Sequence, residues 1–111
     1  GTNMSKVIKP DNLIIDTGIG LVKKGVKLAA GTYKRGTAIG FVTDTYKMIG
    51  EETFTVDTLE GILAEDITVT NDEIAIIYLT GQFNLSEIIV KSGTQAKDLI
   101  PHGRKLGIFL F

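Results

Sequence analysis

Short stretches of apolar and β-branched residues, each broken after a few positions by Gly, Asp, Asn or Thr, constrain this chain more than any other feature. From Val26 onward they recur about every 10 residues, the spacing of consecutive strands in a small barrel or sandwich. Ile (15), Val (7) and Thr (13) supply 35 of the 111 residues, and Gly another 13. Side chains branched at Cβ suit a pleated surface, and Gly supplies the positive φ that tight turns need. The reading is therefore mainly β: a small β-barrel or sandwich-like domain with one or two short helices and a flexible N-terminal arm. A single domain of this length buries roughly 60 to 70% of its unfolded surface, enough for a core without disulfide or metal.

Strands are predicted at residues 26–28, 38–43, 53–57, 61–65, 73–79 and 105–111. In Glu73-Ile74-Ala75-Ile76-Ile77-Tyr78-Leu79 both faces are apolar, which puts this strand across the centre of the core. Asn84 is placed to cap a short helix, although Ile88-Ile89-Val90 favours extended chain. A better helix is expected over residues 92–99, with Ser92 or Thr94 as N-cap and Pro101 closing it. Residues 106–111 hold five apolar side chains, too many to leave in water, and are read as a core strand. Residues 1–20 carry the Pro10-Asp11-Asn12 turn signal and no pattern long enough for an element; they form the arm, with residues 1–3 a tag remnant ahead of Met4. Residues 21–111 form the single domain.

The chemical inventory is thin. Cys is absent, which excludes a thiolate nucleophile, a Cys-based zinc site and an iron–sulfur cluster. The one His, His102, sits after Pro101 in a predicted helix-to-strand connection, where a surface His is the expected occupant. Neighbouring acids Glu51-Glu52 and Glu65-Asp66 on a strand would point to opposite faces, so neither pair presents two carboxylates to one substrate. No enzyme activity, cofactor, metal or small-molecule substrate is expected. The longest apolar run, near Ile74 to Leu79, is far short of the roughly 20 residues of a membrane helix, and the N-terminus lacks a signal-peptide profile.

The Gly-rich, basic segment from Gly31 to Gly40 lacks the ending of a phosphate loop, and its glycines are read as turn formers. Lys23, Lys24, Lys27, Lys34 and Arg35 near Tyr33 suggest nucleic acid, but a net charge of −1 and 7% aromatic residues argue against direct binding. That charge is unevenly spread. Residues 1–50 hold eight bases and three acids, a balance of +5, and residues 51–111 hold four bases and ten acids, a balance of −6. The basic half is expected to face a partner or a second subunit, and the acidic loops water. An alternative is a biotinyl- or lipoyl-type carrier with Lys47 as attachment site, since Val22 to Leu28 and Thr45-Tyr46-Lys47-Met48 are reminiscent of carrier hairpins.

From Leu59-Glu60-Gly61-Ile62-Leu63-Ala64 onward the chain resembles the phage lambda head decoration protein family. The Gly61-Ile62-Leu63-Ala64 motif is followed by an acidic, Thr-rich gap, an apolar strand and a Gly-x-Phe turn at Gly81-Gln82-Phe83. A short Lys-bearing helix and a terminal apolar strand entered through Gly107 complete the order, and Gly31-Thr32 to Ile39-Gly40 is similar to prophage members. The resemblance covers most of residues 25–111. It implies a homotrimer bound at local three-fold positions of the expanded head, where it stabilises a shell of major capsid protein. The location implied is the outer surface of the virion, after production in the host cytoplasm. The capsid-binding arm would then be carried by Val7, Ile8, Leu13, Ile14 and Ile15, with Pro10 interrupting the pairing, and would order by adding its backbone to a sheet edge. Deleting residues 4–18 is expected to leave the trimer folded and abolish shell binding.

Overall fold

The computed structural model describes residues 12–15, 20–71 and 73–111. Eight strands follow in chain order: β1 (Val22–Lys27), β2 (Gly31–Tyr33), β3 (Ala38–Val42), β4 (Thr45–Met48), β5 (Leu59–Leu63), β6 (Ile67–Val69), β7 (Ile74–Phe83) and β8 (Ile108–Leu110). Three 3-10 turns (Val56–Thr58, Leu85–Glu87, Ala96–Leu99) and one helix, α1 (Ile100–Leu106), complete the described residues. The main sheet runs β1-β7-β5-β3-β4, all antiparallel, and β8 pairs parallel to the end of β7. Beyond β1, Leu28 bridges to Tyr46 and the Ala29 N–H donates to the Tyr46 carbonyl at 3.0 Å. That contact brings the two ends of the strand order together at one bridge, so the sheet curls into a partly open barrel.

Strand alternation builds two cores from one sheet. Val26, Leu28, Ile39, Leu63, Ala75 and Ile77 fill the inner one, to which the separate β2–β6 pair adds Tyr33 and Val69. Ala38, Ile62, Tyr78 and Phe83 form the outer one with Leu13, Leu59, Leu99, Ile108 and Leu110. Ile77 and Tyr78, adjacent on β7, serve opposite cores, as the expectation of a central strand with two apolar faces requires.

Several boundaries differ from the sequence-based reading. Residues 53–57 are not a strand: Gly50, at φ +107°, starts a tight loop in which the Phe54 N–H reaches the Glu51 carbonyl and the Gly50 N–H reaches the Phe54 carbonyl. The Thr58 hydroxyl then bonds the Thr55 carbonyl and Thr55 bonds Asp57, local partners that compete with a strand ladder. Strand β7 continues through Gly81 to Phe83 instead of turning there, because its last residues pair with β8. Pro101 lies in the first turn of α1 rather than ending a helix over 92–99, a position where the missing N–H costs nothing. His102 is therefore in the helix. Gly107, left-handed at φ 89°, ends α1, so β8 starts only at Ile108 and residues 105–106 are helical. Over 84–90 a single 3-10 turn gives way to extended chain in which Ile89 bridges Thr37. The short strands β2, β4 and β6 have no counterpart in the expectations.

The turn into β7 is held by one side chain. The Glu73 carboxylate accepts the Thr70 N–H (2.9 Å), the Asn71 N–H (2.8 Å) and the Thr70 hydroxyl (2.8 Å). These bonds, the Asn71 N–H first, lower its pKa from 4.5 to about 2. A carboxylate with a depressed folded pKa contributes its stability above the unfolded value, and loses it as pH falls toward the folded one. Glu73→Gln is accordingly expected to lower the Tm at pH 7 and to match the parent near pH 2, as thermal unfolding of both proteins across that interval will read out.

Candidate functional site

Among the expected motif residues, Gly61, Ile62, Leu63 and Ala64 are brought together on β5 and just past its end, where they hold the barrel together. Gly61 lies where β5 crosses β7: a Cβ there would stand 2.6 Å from the Tyr78 carbonyl oxygen and 2.8 Å from Ile77 Cδ1. Ile62 and Leu63 are fully buried in opposite cores. The Ala64 N–H donates to Ile76, and its carbonyl accepts the Arg35 guanidinium at 2.6 Å. Arg35 also bonds the Tyr78 hydroxyl (3.1 Å), stacks 5.8 Å from that ring's centroid, and its backbone N–H bonds Asp66 at 2.7 Å. The basic segment is thus anchored internally, and Gly36, at φ +98° beside the Glu87 carbonyl, is one of its turns.

Other candidate chemistry disperses. Lys47 lies within β4 opposite Gly40, its Nζ 5.9 Å from the Phe54 ring. The adjoining hairpin tip is Thr43-Asp44, both at positive φ (46° and 63°), so Lys47 is not at the turn that a carrier hairpin presents. Glu51 meets Lys91 at 3.6 Å while Glu52 is exposed. Both line an open cleft of about 450 Å³ with Phe54, Thr94 and Asp98. Asp57 is held below the usual carboxylate range by the Thr55 hydroxyl, then by its own backbone N–H and the charge of His102. Among the described residues no group of three His, Asp or Glu is arranged to hold a metal, and no helix is long and apolar enough to cross a membrane.

Of the expected arm residues, Val7, Ile8 and Pro10 lie outside the described residues. Leu13 is 3% exposed in the outer core, Ile14 bridges Phe83, and the Ile15 N–H donates to the Gln82 carbonyl at 2.9 Å. The Asn84 N–H returns a bond to the Leu13 carbonyl at 2.8 Å. Of the expected arm, Leu13 is thus buried in the domain's own core, and the backbone of Ile14 and Ile15 meets the end of β7. Strand addition does occur here, but onto β7 of the same chain.

An apolar surface gathers instead around the far end of β7. Val22, 51% exposed, has its N–H on the Thr80 hydroxyl at 3.2 Å, and the side chain of Leu21 (39%) lies against Gly81. Gly107, which follows the exposed Leu106, packs on Thr80. Phe111, whose N–H bonds the Phe83 carbonyl at 3.0 Å, is 68% exposed. Residues 106–111 are thus only partly a core strand: Ile108 and Leu110 are buried and Phe111 faces solvent. Gly81 (φ 147°) and Phe83 (0% exposed) shape this end from within. Apolar side chains next to such Gly-opened backbone are the signal the sequence carried, but alternation alone could not say which of them stay uncovered.

The chain matches no protein-family model, and no curated protein is significantly similar to it. The fold defines a small, mainly β domain that leaves the large apolar side chains of Leu21, Val22, Leu106 and Phe111 exposed.

Proposed function

We propose that this chain is a structural capsid decoration protein that binds as a homotrimer at local three-fold positions of an expanded phage or prophage head and stabilises the shell. The exposed apolar side chains Leu21, Val22, Leu106 and Phe111 carry the reading, because residues next to Thr80–Phe83 that leave this much apolar surface in water ask for a protein partner. The order of Gly61-Ile62-Leu63-Ala64, Gly81, Phe83 and Gly107 along the chain supports it, each at a position where the barrel needs that residue. A protein that binds only the expanded shell stabilises it by mass action, without chemistry. The major capsid protein is the partner, and the outer surface of the virion its place.

Sedimentation equilibrium should give three times the 12.0 kDa chain mass, and the protein should add to expanded but not to unexpanded heads depleted of decoration protein. Val22→Ser combined with Phe111→Ser, both exposed in the single chain, should yield a folded species that no longer trimerises or binds heads. A chain that stays monomeric at high concentration and never adds to expanded heads overturns the proposal. No observation favours the carrier reading, since Lys47 stands inside a strand.

A further inference from the structure

β1 is built unlike the other strands. Of its six residues only Val26 is buried. It ends the strand order of the main sheet, and among the described residues no strand pairs with the outer edge of residues 22–26. β4 lies near β1, but pairing begins only at the Leu28 bridge, and the Lys24 Nζ reaches the Tyr46 hydroxyl at 3.3 Å. Directly opposed residues of an antiparallel pair share a face, so Lys23, Gly25 and Lys27 stand with Tyr78, Ile76 and Ile74. The missing side chain of Gly25 lets Ile74 lie across the β1 backbone, its Cγ2 2.8 Å from where a Cβ would be, with Ile76 Cδ1 at 3.8 Å. Ile74 remains 51% exposed. An apolar strip therefore reaches the free edge at Gly25, with an ammonium on either side, while Lys24 guards the opposite face.

Lysines on an edge keep copies of a chain from pairing with one another, because two such edges would bring their ammonium groups together. The same charges select what else can pair. We propose that the β1 edge binds, by strand addition, an acidic extended segment of another protein that carries an aromatic residue at its centre. In antiparallel register, acids oppose Lys27, Lys24 and Lys23, the aromatic opposes Gly25, and any residue opposes Val26. Main-chain hydrogen bonds supply affinity, the aromatic ring covers the bare glycine and the Ile74 side chain, and the lysines fix sign and register. The inference does not rest on the capsid reading, since it concerns the chain and a peptide alone.

The test is a titration of the 15N-labelled full chain with the blocked peptide Thr-Glu-Val-Phe-Glu-Glu-Thr, followed by amide shifts. Saturable shifts centred on residues 22–27 are expected, weakened by added salt. The charge-reversed peptide Thr-Lys-Val-Phe-Lys-Lys-Thr should bind about tenfold more weakly or not at all, as should the acidic peptide to K23E/K27E. The peptide comparison uses the unaltered chain and so holds whether or not the double variant folds. No shift with the acidic peptide, equal affinity for the two peptides, or shifts confined to α1 and β8 overturn the proposal.

Discussion

Deleting residues 4–15 is expected to unfold a large fraction of the domain, and a larger one than deleting residues 4–11 does. The difference lies in Leu13. Its side chain is 3% exposed among Phe83, Ile108 and Leu110, and truncating a Leu so placed costs about 2 to 5 kcal/mol through lost transfer energy and the cavity left behind. Removing the backbone as well takes away the bonds between Ile15 and Gln82 and between Asn84 and Leu13, stripping a sheet edge that lies against the core. With roughly 5 to 15 kcal/mol holding a domain of this kind together, the combined loss is a large share of the whole. Urea unfolding will show it as a midpoint lower for the 4–15 deletion than for the 4–11 deletion, and lower for Leu13→Ala than for the parent. The comparison also separates two roles that a deletion of residues 4–18 would confuse. If the shorter deletion abolishes head binding while the midpoint holds, residues 4–11 carry the shell contact; if head binding survives it, they do not. An unchanged midpoint after loss of residues 12–15 would remove Leu13 from the core.

Leu13 also shows where sequence reading reaches its limit. In β5 and β7 the pattern was legible because each residue's face follows from its neighbours: Ile62 and Leu63, Ile77 and Tyr78 must serve opposite cores once both are strands. Leu13 has no such neighbours. Its burial depends on a core whose other members, Phe83 among them, lie far along the chain, and no local period encodes that. Phe111 fails in the opposite sense, reading as a core residue in an apolar terminal strand yet standing 68% exposed. Strands β2, β4 and β6 are three or four residues long and rich in Thr, Tyr and Lys, so they lack an apolar run to detect. At Phe54 and Pro101 local chemistry won over pattern. The Gly50 turn and the hydroxyl bonds of Thr55 and Thr58 dissolve an apparent strand, and a proline that ends helices elsewhere opens α1. The candidate site was legible only in part for the same reason: motif glycines marked the frame, while the exposed side chains arise from what long-range packing leaves bare.

Gly61→Ala is expected to be the most damaging single-methyl addition to the barrel wall. Its Cβ would meet a main-chain oxygen, that of Tyr78, at 2.6 Å and the buried Ile77 Cδ1 at 2.8 Å. Ile77 is 0% exposed, so it cannot swing into solvent, and the carbonyl belongs to the neighbouring strand. Relief requires β5 and β7 to move apart at the one place where they pair, Ile62 with Tyr78 and Leu63 with Ile77, so the bonds that hold the two cores on either side of the sheet weaken together. Overpacking of this kind costs roughly 1 to 3 kcal/mol, and the rigid obstacle puts Gly61 at the upper end. Gly25→Ala supplies the contrast. There the close neighbour, again at 2.8 Å, is Ile74 Cγ2, a half-exposed side chain that can swing into solvent. The two variants add the same methyl at similar side-chain distances, but only at Gly61 does it also meet a main-chain oxygen, at 2.6 Å, that cannot yield. Equilibrium urea unfolding should place the Gly25 variant close to the parent and the Gly61 variant well below it. Equal midpoints would mean that β5 and β7 do not make the close backbone approach that defines this barrel.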